Sequence, residues 1–225
     1  MTNGVLPDTE LKRAIREGWI AADEAFLDDQ IQPASLDLRL GETAFRLRAS
    51  FLPGAGASVQ ARLDDQVVMH KIDLRGGAVL ETGCVYLVQV QEELALPSHI
   101  HGAANPKSST GRVDVFTRLI TDGATSFDYI PAGYHGPMWA EISPCTFSVL
   151  VRTGTRLSQA RLRRGALKPT HELDFTMDLS LEGPVGFRAK RHSGVVDVDR
   201  IAAYDPRDFW EPMEARNGRV VLDPG

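Results

Sequence analysis

The sequence predicts a mainly β protein, a distorted barrel or jelly roll behind an N-terminal helix. Three observations carry this. Ser35-Leu36-Asp37-Leu38-Arg39-Leu40-Gly41 alternates strictly, with its leucines on one face. Residues 84–90 alternate again, Val85, Leu87 and Gln89 against Tyr86, Val88 and Val90. Further short strand-like runs follow, with a turn signal after roughly every ten residues.

Taken in order, Pro7-Asp8-Thr9-Glu10 followed by Leu11, Ala14 and Ile15 reads as a short helix, capped by Asp8 or Thr9 and stopped at Gly18. Residues 21–28 read as a second helical stretch. Beyond them the period changes from that of a helix to that of a strand. Strands are expected at 35–41, 43–49, 67–72, 79–83, 84–90, 113–120, 138–142, 146–152 and 156–162. Pro131-Ala132-Gly133-Tyr134-His135-Gly136 and Arg152-Thr153-Gly154-Thr155 carry the glycine and proline chemistry of turns.

An internal repeat is also visible. Ser35-Leu36-Asp37-Leu38-Arg39-Leu40 resembles Thr176-Met177-Asp178-Leu179-Ser180-Leu181, and Val79-Leu80-Glu81-Thr82-Gly83 resembles Val221-Leu222-Asp223-Pro224-Gly225, at nearly equal spacing. The expected organisation is a β-barrel domain over residues 1–168 and an incomplete second copy of the same fold over 169–225.

The 225 residues are 43% hydrophobic and 24% charged, an ordinary globular composition. No apolar run reaches the roughly 18 residues of a membrane helix. The N-terminus lacks the basic and apolar regions of a signal peptide. A net charge of −5 argues against nucleic acid as a partner. Positive charge is nevertheless concentrated locally, at Lys107, Arg112 and Arg118 and again at Arg156, Arg161, Arg163, Arg164 and Lys168. Cys84 and Cys145 lie far apart and read as reduced core residues, which fits a cytoplasmic protein.

Two segments carry chemistry. Pro106-Lys107-Ser108-Ser109-Thr110-Gly111-Arg112 sets two hydroxyls between two cations, a combination suited to a phosphate. In Gly136-Pro137-Met138-Trp139-Ala140-Glu141-Ile142, a carboxylate stands among apolar residues of an expected strand. A partly desolvated carboxylate is a better base at neutral pH. Strand alternation allows the blander reading that Glu141 faces solvent. His99 and His101 are close in sequence but have no acidic or thiolate neighbour, and they read as loop or surface residues.

These motifs resemble those of the dCTP deaminases. Ile31-Gln32-Pro33-Ala34-Ser35-Leu36-Asp37-Leu38-Arg39-Leu40-Gly41 is similar to the family's x-P-x-S-x-D-L-R-L-G opening. Residues 107–112 resemble the R-S-S-x-x-R phosphate motif that the family shares with its dUTPase relatives. Residues 133–141 resemble the G-[WY]-x-G-x-x-x-x-E strand. Arg152-Thr153-Gly154-Thr155-Arg156-Leu157-Ser158-Gln159-Ala160 is similar to the late x-P-G-x-x-I-x-Q-L segment. The likeness runs in order over residues 8–165, and the two-copy layout resembles a longer bacterial branch with two fused domains.

The resemblance implies a distorted dUTPase-like barrel that assembles as a homo-oligomer, a homotrimer or a pseudo-trimer arrangement, with sites at subunit boundaries. It implies hydrolytic deamination of dCTP to dUTP and ammonia, with Mg2+ riding on the triphosphate and no zinc. Glu141 would activate the water. Ser108 would hold water or phosphate oxygens, and Arg112 would pair with the triphosphate or orient Glu141. Lys107, Ser109 and Gln159 would contact the nucleotide, and Tyr134 would stack under the deoxyribose. Lys107 stands where the family commonly has Arg, which keeps the charge and loses the bidentate fork. Pro131 replaces the Asp with which relatives bind the sugar, and Asp128 or Asp122 is the expected substitute. Asp37 and Arg39 read as a structural ion pair. Two other readings stay open: a dUTP diphosphatase or bifunctional enzyme, and a non-catalytic nucleotide-binding barrel. Phosphatases of this fold lack a glutamate five residues after the Y-x-G glycine, where Glu141 stands, so deamination is favoured.

Overall fold

The computed structural model describes residues 3–64, 66–165, 173–180 and 182–222. The chain divides into two compact units, one made of Met1–Ala166 with Val195–Asp199, the other of Leu167–Gly194 with Arg200–Gly225.

The first unit is the expected β-barrel. Its main sheet runs in the order Tyr129–Ile130, Ile100–Pro106, Arg156–Arg164, Ser35–Leu47, Val85–Ala95, His135–Pro144, Val115–Thr121. All of these neighbours are antiparallel. The two ends of this path meet at Asp128, whose N–H donates to Leu119 O over 2.8 Å and whose carbonyl accepts from Ala104 N over 2.9 Å. Exposed strand edges invite unwanted pairing, and this near-closure leaves little edge to expose.

Leucines of the alternating segment fill the main core as expected: Leu36, Leu38 and Leu40 are buried with Val88, Val90, Ala140 and Leu162. A second apolar cluster lies around Leu47, Leu87, Ile120 and Trp139, and Phe51, Leu52, Val59 and Leu63 pack into it. These four covering residues come from the connection between the Ser35–Leu47 and Val68–Asp73 strands.

Several local expectations need correction. The helix spans Asp8–Arg16, but its N-cap is Pro7 and no side chain caps it, while Asp8 and Glu10 sit in the first turn facing the positive end of the helix dipole. Gly18, at φ +75°, does follow its end in the left-handed conformation that favours glycine. Residues 21–28 do not form an α-helix. Ile20–Ala21 pairs with Leu94 and Glu93, and the carbonyls of Glu24 and Ala25 accept from the Arg39 guanidinium.

Ile100–Pro106 is a strand whose Gly, Ala, Asn and Pro gave no strand signal. Its Gly102 is required by crowding: a Cβ there would lie 2.9 Å from Arg161 O. Cys84 is half-buried, but Cys145 is exposed rather than in the core.

The second unit contains a hairpin of Pro184–Ala189 with Trp210–Glu214 and a short helix, Pro206–Phe209, capped by Asp205. In the expected repeat, residues 176–180 form no strand. Asp178 instead accepts from the N–H and hydroxyl of Ser180, a local turn that competes with strand pairing. Leu181 and the Asp223-Pro224-Gly225 end of the second repeat motif lie outside the described residues, as does Lys168 of the second basic cluster. No helix among the described residues is long and apolar enough to cross a membrane.

Candidate active site

Glu141 sits mid-strand in His135–Pro144, opposite Leu87 on one side and Arg118 on the other. Alternation sends it to the same face as Trp139, toward the second apolar cluster, while Ala140 and Ile142 point into the main core. The side chain is 1% exposed, so the solvent-facing alternative does not hold.

Arg118 answers this buried charge. Its Nε donates to Glu141 Oε1 over 3.0 Å, its Nη2 donates to the same oxygen, and Nη2 also reaches Ser50 Oγ at 2.9 Å. The guanidinium carbon lies 3.6 Å from the Phe127 ring centroid and 5.1 Å from that of Phe116. Glu141 Oε2 is buried and has no hydrogen-bond partner among the described residues, and the same is true of Trp139 Nε1. An unpaired buried carboxylate oxygen is costly. Beside the oxygen that Arg118 satisfies, Oε2 keeps its capacity to accept a hydrogen bond or a proton.

The phosphate-type motif forms the short helix Ser108–Arg112. It is anchored by Lys107 N–H, which donates to Leu157 O over 2.9 Å, and by the buried Thr110. Ser108, Ser109 and Arg112 are exposed, and their side chains make no hydrogen bond among the described residues. Lys107 turns the other way and pairs with Asp37, which is 1% exposed and also lies 3.9 Å from Arg156.

Gln159 is opposite Asp37 on one neighbouring strand and Asn105 on the other, and its Oε1 accepts from Ser35 Oγ over 2.8 Å. The structure therefore brings Lys107 and Gln159 into one polar cluster with Asp37, Ser35 and Arg156. Among the described residues, no hydrogen bond or ion pair joins Glu141 to residues 107–112. Arg118, not Arg112, is the arginine that orients Glu141 within one chain. Register supplies the reason, since Glu141 and Arg118 are directly opposed on adjacent strands.

Tyr134 is buried in the main core. Its hydroxyl donates to Pro137 O over 2.6 Å and accepts from Asp122 N over 3.1 Å, and burial pushes the phenol up to about 12. The two sugar-site substitutes are both engaged. Asp122 Oδ1 accepts from Val59 N at 2.7 Å, and Asp128 Oδ1 accepts from Leu119 N at 2.7 Å. Asp128 is nevertheless close enough to feel both Arg118 and Glu141. Its carboxyl lies above the ordinary range, chiefly because burial disfavours the charged form.

Asp37 and Arg39 do not pair with each other. Arg39 Nε donates to Glu92 Oε1 at 2.7 Å and Arg39 N to Glu92 Oε2 at 2.9 Å, while Gln30 Nε2 reaches Oε1 at 2.7 Å. Both charged groups are almost fully buried, and the polar face of the 35–41 segment is as buried as its leucine face. Sequence reading missed Glu92. A glutamate at an inward position of an alternating strand is the only signal it offered.

Comparison with known proteins adds a consistent pattern. The family model for the 2′-deoxycytidine 5′-triphosphate deaminase N-terminal domain matches residues 2–166, and that for the C-terminal domain matches residues 154–225. A dUMP-forming dCTP deaminase of Methanothermobacter thermautotrophicus is 32% identical over 62% of this chain and 68% of its own length. A dCTP deaminase of Haloarcula marismortui is 30% identical over 69% of this chain and 77% of its own. The crystal structure of the 2′-deoxycytidine 5′-triphosphate deaminase from Agrobacterium tumefaciens superposes with a TM-score of 0.90 at 45% identity, over 96% of this chain and 72% of that one.

Proposed function

The chain belongs to the 2′-deoxycytidine 5′-triphosphate deaminase family, and from that premise we propose that it hydrolyses dCTP to dUTP and ammonia with Glu141 as the base. The observation that carries the role of Glu141 is its asymmetry. One carboxylate oxygen is held by Arg118 while the other is buried and has no partner among the described residues.

Oε2 accepts a proton from a water molecule as that water's oxygen attacks C4 of the cytosine ring. The proton passes to ring N3, and a second transfer from the new C4 hydroxyl to the exocyclic nitrogen lets the C4–N4 bond break. Ammonia leaves, and C4 keeps a carbonyl oxygen. General acid–base catalysis of this kind contributes about 10²–10⁴-fold.

The substrate is the magnesium complex of the nucleotide. Ser108, Ser109 and Arg112, exposed and without side-chain partners among the described residues, are the groups offered to its triphosphate, with Lys107 and Gln159 beside them. Charge-assisted contacts of this type are the strong ones. Because no bond among the described residues links Glu141 to the 107–112 segment, a homotrimer that places one subunit's segment beside the next subunit's Glu141 completes the site.

The test is product analysis after incubating the purified chain with dCTP and magnesium. Release of ammonia with dUTP supports the proposal. Formation of dUMP supports the bifunctional reading, which the naming of the Methanothermobacter relative favours. Unchanged dCTP refutes both. Light scattering that finds a monomer at working concentration would remove the trimer.

A further inference from the structure

The guanidinium of Arg118 is placed with more care than charge neutralisation requires. It is held between Phe127 and Phe116, tied to Ser50, and directs both Nε and Nη2 at the same oxygen, Glu141 Oε1. A guanidinium facing a carboxylate usually spreads its two donors over two oxygens, one each. Here both donors fall on one oxygen, and the other is buried without a hydrogen-bond partner among the described residues.

We infer that Arg118 is a positioning residue for deamination, fixing the Glu141 carboxylate so that Oε2 alone is presented to the attacking water. The inference rests on the reaction proposed above. Two consequences of the geometry support it. Rotation of the carboxylate, which would exchange the two oxygens, has to break both Arg118 bonds at once. Arg118 itself cannot swing away without leaving the Phe127 ring and Ser50. Ser50 precedes the covering residues Phe51 and Leu52, so the cover of the second cluster and the orientation of the base are joined at one hydroxyl.

The role is tested by steady-state kinetics on Arg118→Ala, Arg118→Lys, Glu141→Gln and the Arg118→Ala/Glu141→Gln double variant, with ammonia release as readout. For Arg118→Ala the expected result is a fall in kcat of about a hundredfold, with KM for dCTP moving by no more than about threefold. Added guanidinium ion should restore part of the loss. Arg118→Lys, a cation without the planar fork, should lie between Arg118→Ala and the wild type in kcat. The double variant should be no slower than Glu141→Gln alone, since a positioning residue has nothing left to position.

An unchanged kcat in Arg118→Ala overturns the inference, as does a loss confined to KM or a further large fall in the double variant. If Arg118→Ala does not fold, Arg118→Lys decides: wild-type kcat there overturns the inference, and a lowered kcat at constant KM supports it. A wild-type chain that releases no ammonia refutes the proposed reaction itself, an outcome separate from any of these.

Discussion

Asp128 ties itself to Leu119 twice, donating its N–H to Leu119 O over 2.8 Å and accepting from Leu119 N at Oδ1 over 2.7 Å. With its carbonyl on Ala104 N, this one residue joins the last strand of the sheet to Ile100–Pro106, near the other end of the strand order. It does so at φ +61°, a conformation that Asp and Asn tolerate better than most residues.

That arrangement makes a pH prediction. Burial holds the Asp128 carboxyl above its ordinary 3.8. The folded state therefore binds this proton more tightly than the unfolded state, and the residue's contribution to stability falls as pH rises from 3.8 through the folded value. Asp128→Asn keeps the acceptor for Leu119 N and the left-handed backbone but loses the titration. Chemical denaturation across acidic pH should show a smaller decline of stability with rising pH in this variant. Equal slopes in the two proteins would refute the assignment.

Glu141→Gln should lower kcat by at least about a hundredfold while dCTP still binds, because the amide cannot take a proton. Calorimetric titration with dCTP beside an ammonia assay separates the two effects. Normal turnover in this variant would remove Glu141 as the base.

Arg112→Ala should lower kcat/KM at least about tenfold, since a lost charge-assisted contact is worth roughly 1.5–3 kcal/mol. Arg112 is exposed and has no side-chain partner among the described residues, so the variant's thermal midpoint should stay put. A shifted midpoint with unchanged kinetics would make the residue structural.

Arg39→Met should destabilise the protein by about 3–5 kcal/mol, because it strands Glu92 as a buried unpaired charge. Replacing both, Arg39→Met with Glu92→Leu, should cost much less. Denaturant midpoints for the two variants check this, and equal losses would contradict it.

Much of the barrel was legible because its strands alternate. Leu36, Leu38 and Leu40, or Tyr86, Val88 and Val90, declare their buried face by spacing alone. Ile100–Pro106 was not legible, because Gly, Ala, Asn and Pro carry little strand propensity, and Gly102 answers to close approach by Arg161 O rather than to propensity. The position of Glu141 in an apolar strand was readable. Which of Arg112 and Arg118 would meet it was not, since that depends on the register between two strands. Likewise the partner of Arg39 lies 53 residues away, beyond any local pattern.

Val195–Asp199 belongs to the first unit although the residues on either side of it belong to the second. Val196–Asp197 lies parallel to Val149–Leu150, and Arg152 holds Asp197 with two hydrogen bonds of 2.8 Å. The polypeptide thus crosses between its units three times and is pinned at its return. A protease that nicks the excursion before residue 195 severs the covalent thread but leaves this clasp intact. Cleavage and release of the segment become distinct events, because strand pairing with Val149–Leu150 and the contacts of Arg152 and Thr155 still hold Val195–Asp199 within the first unit.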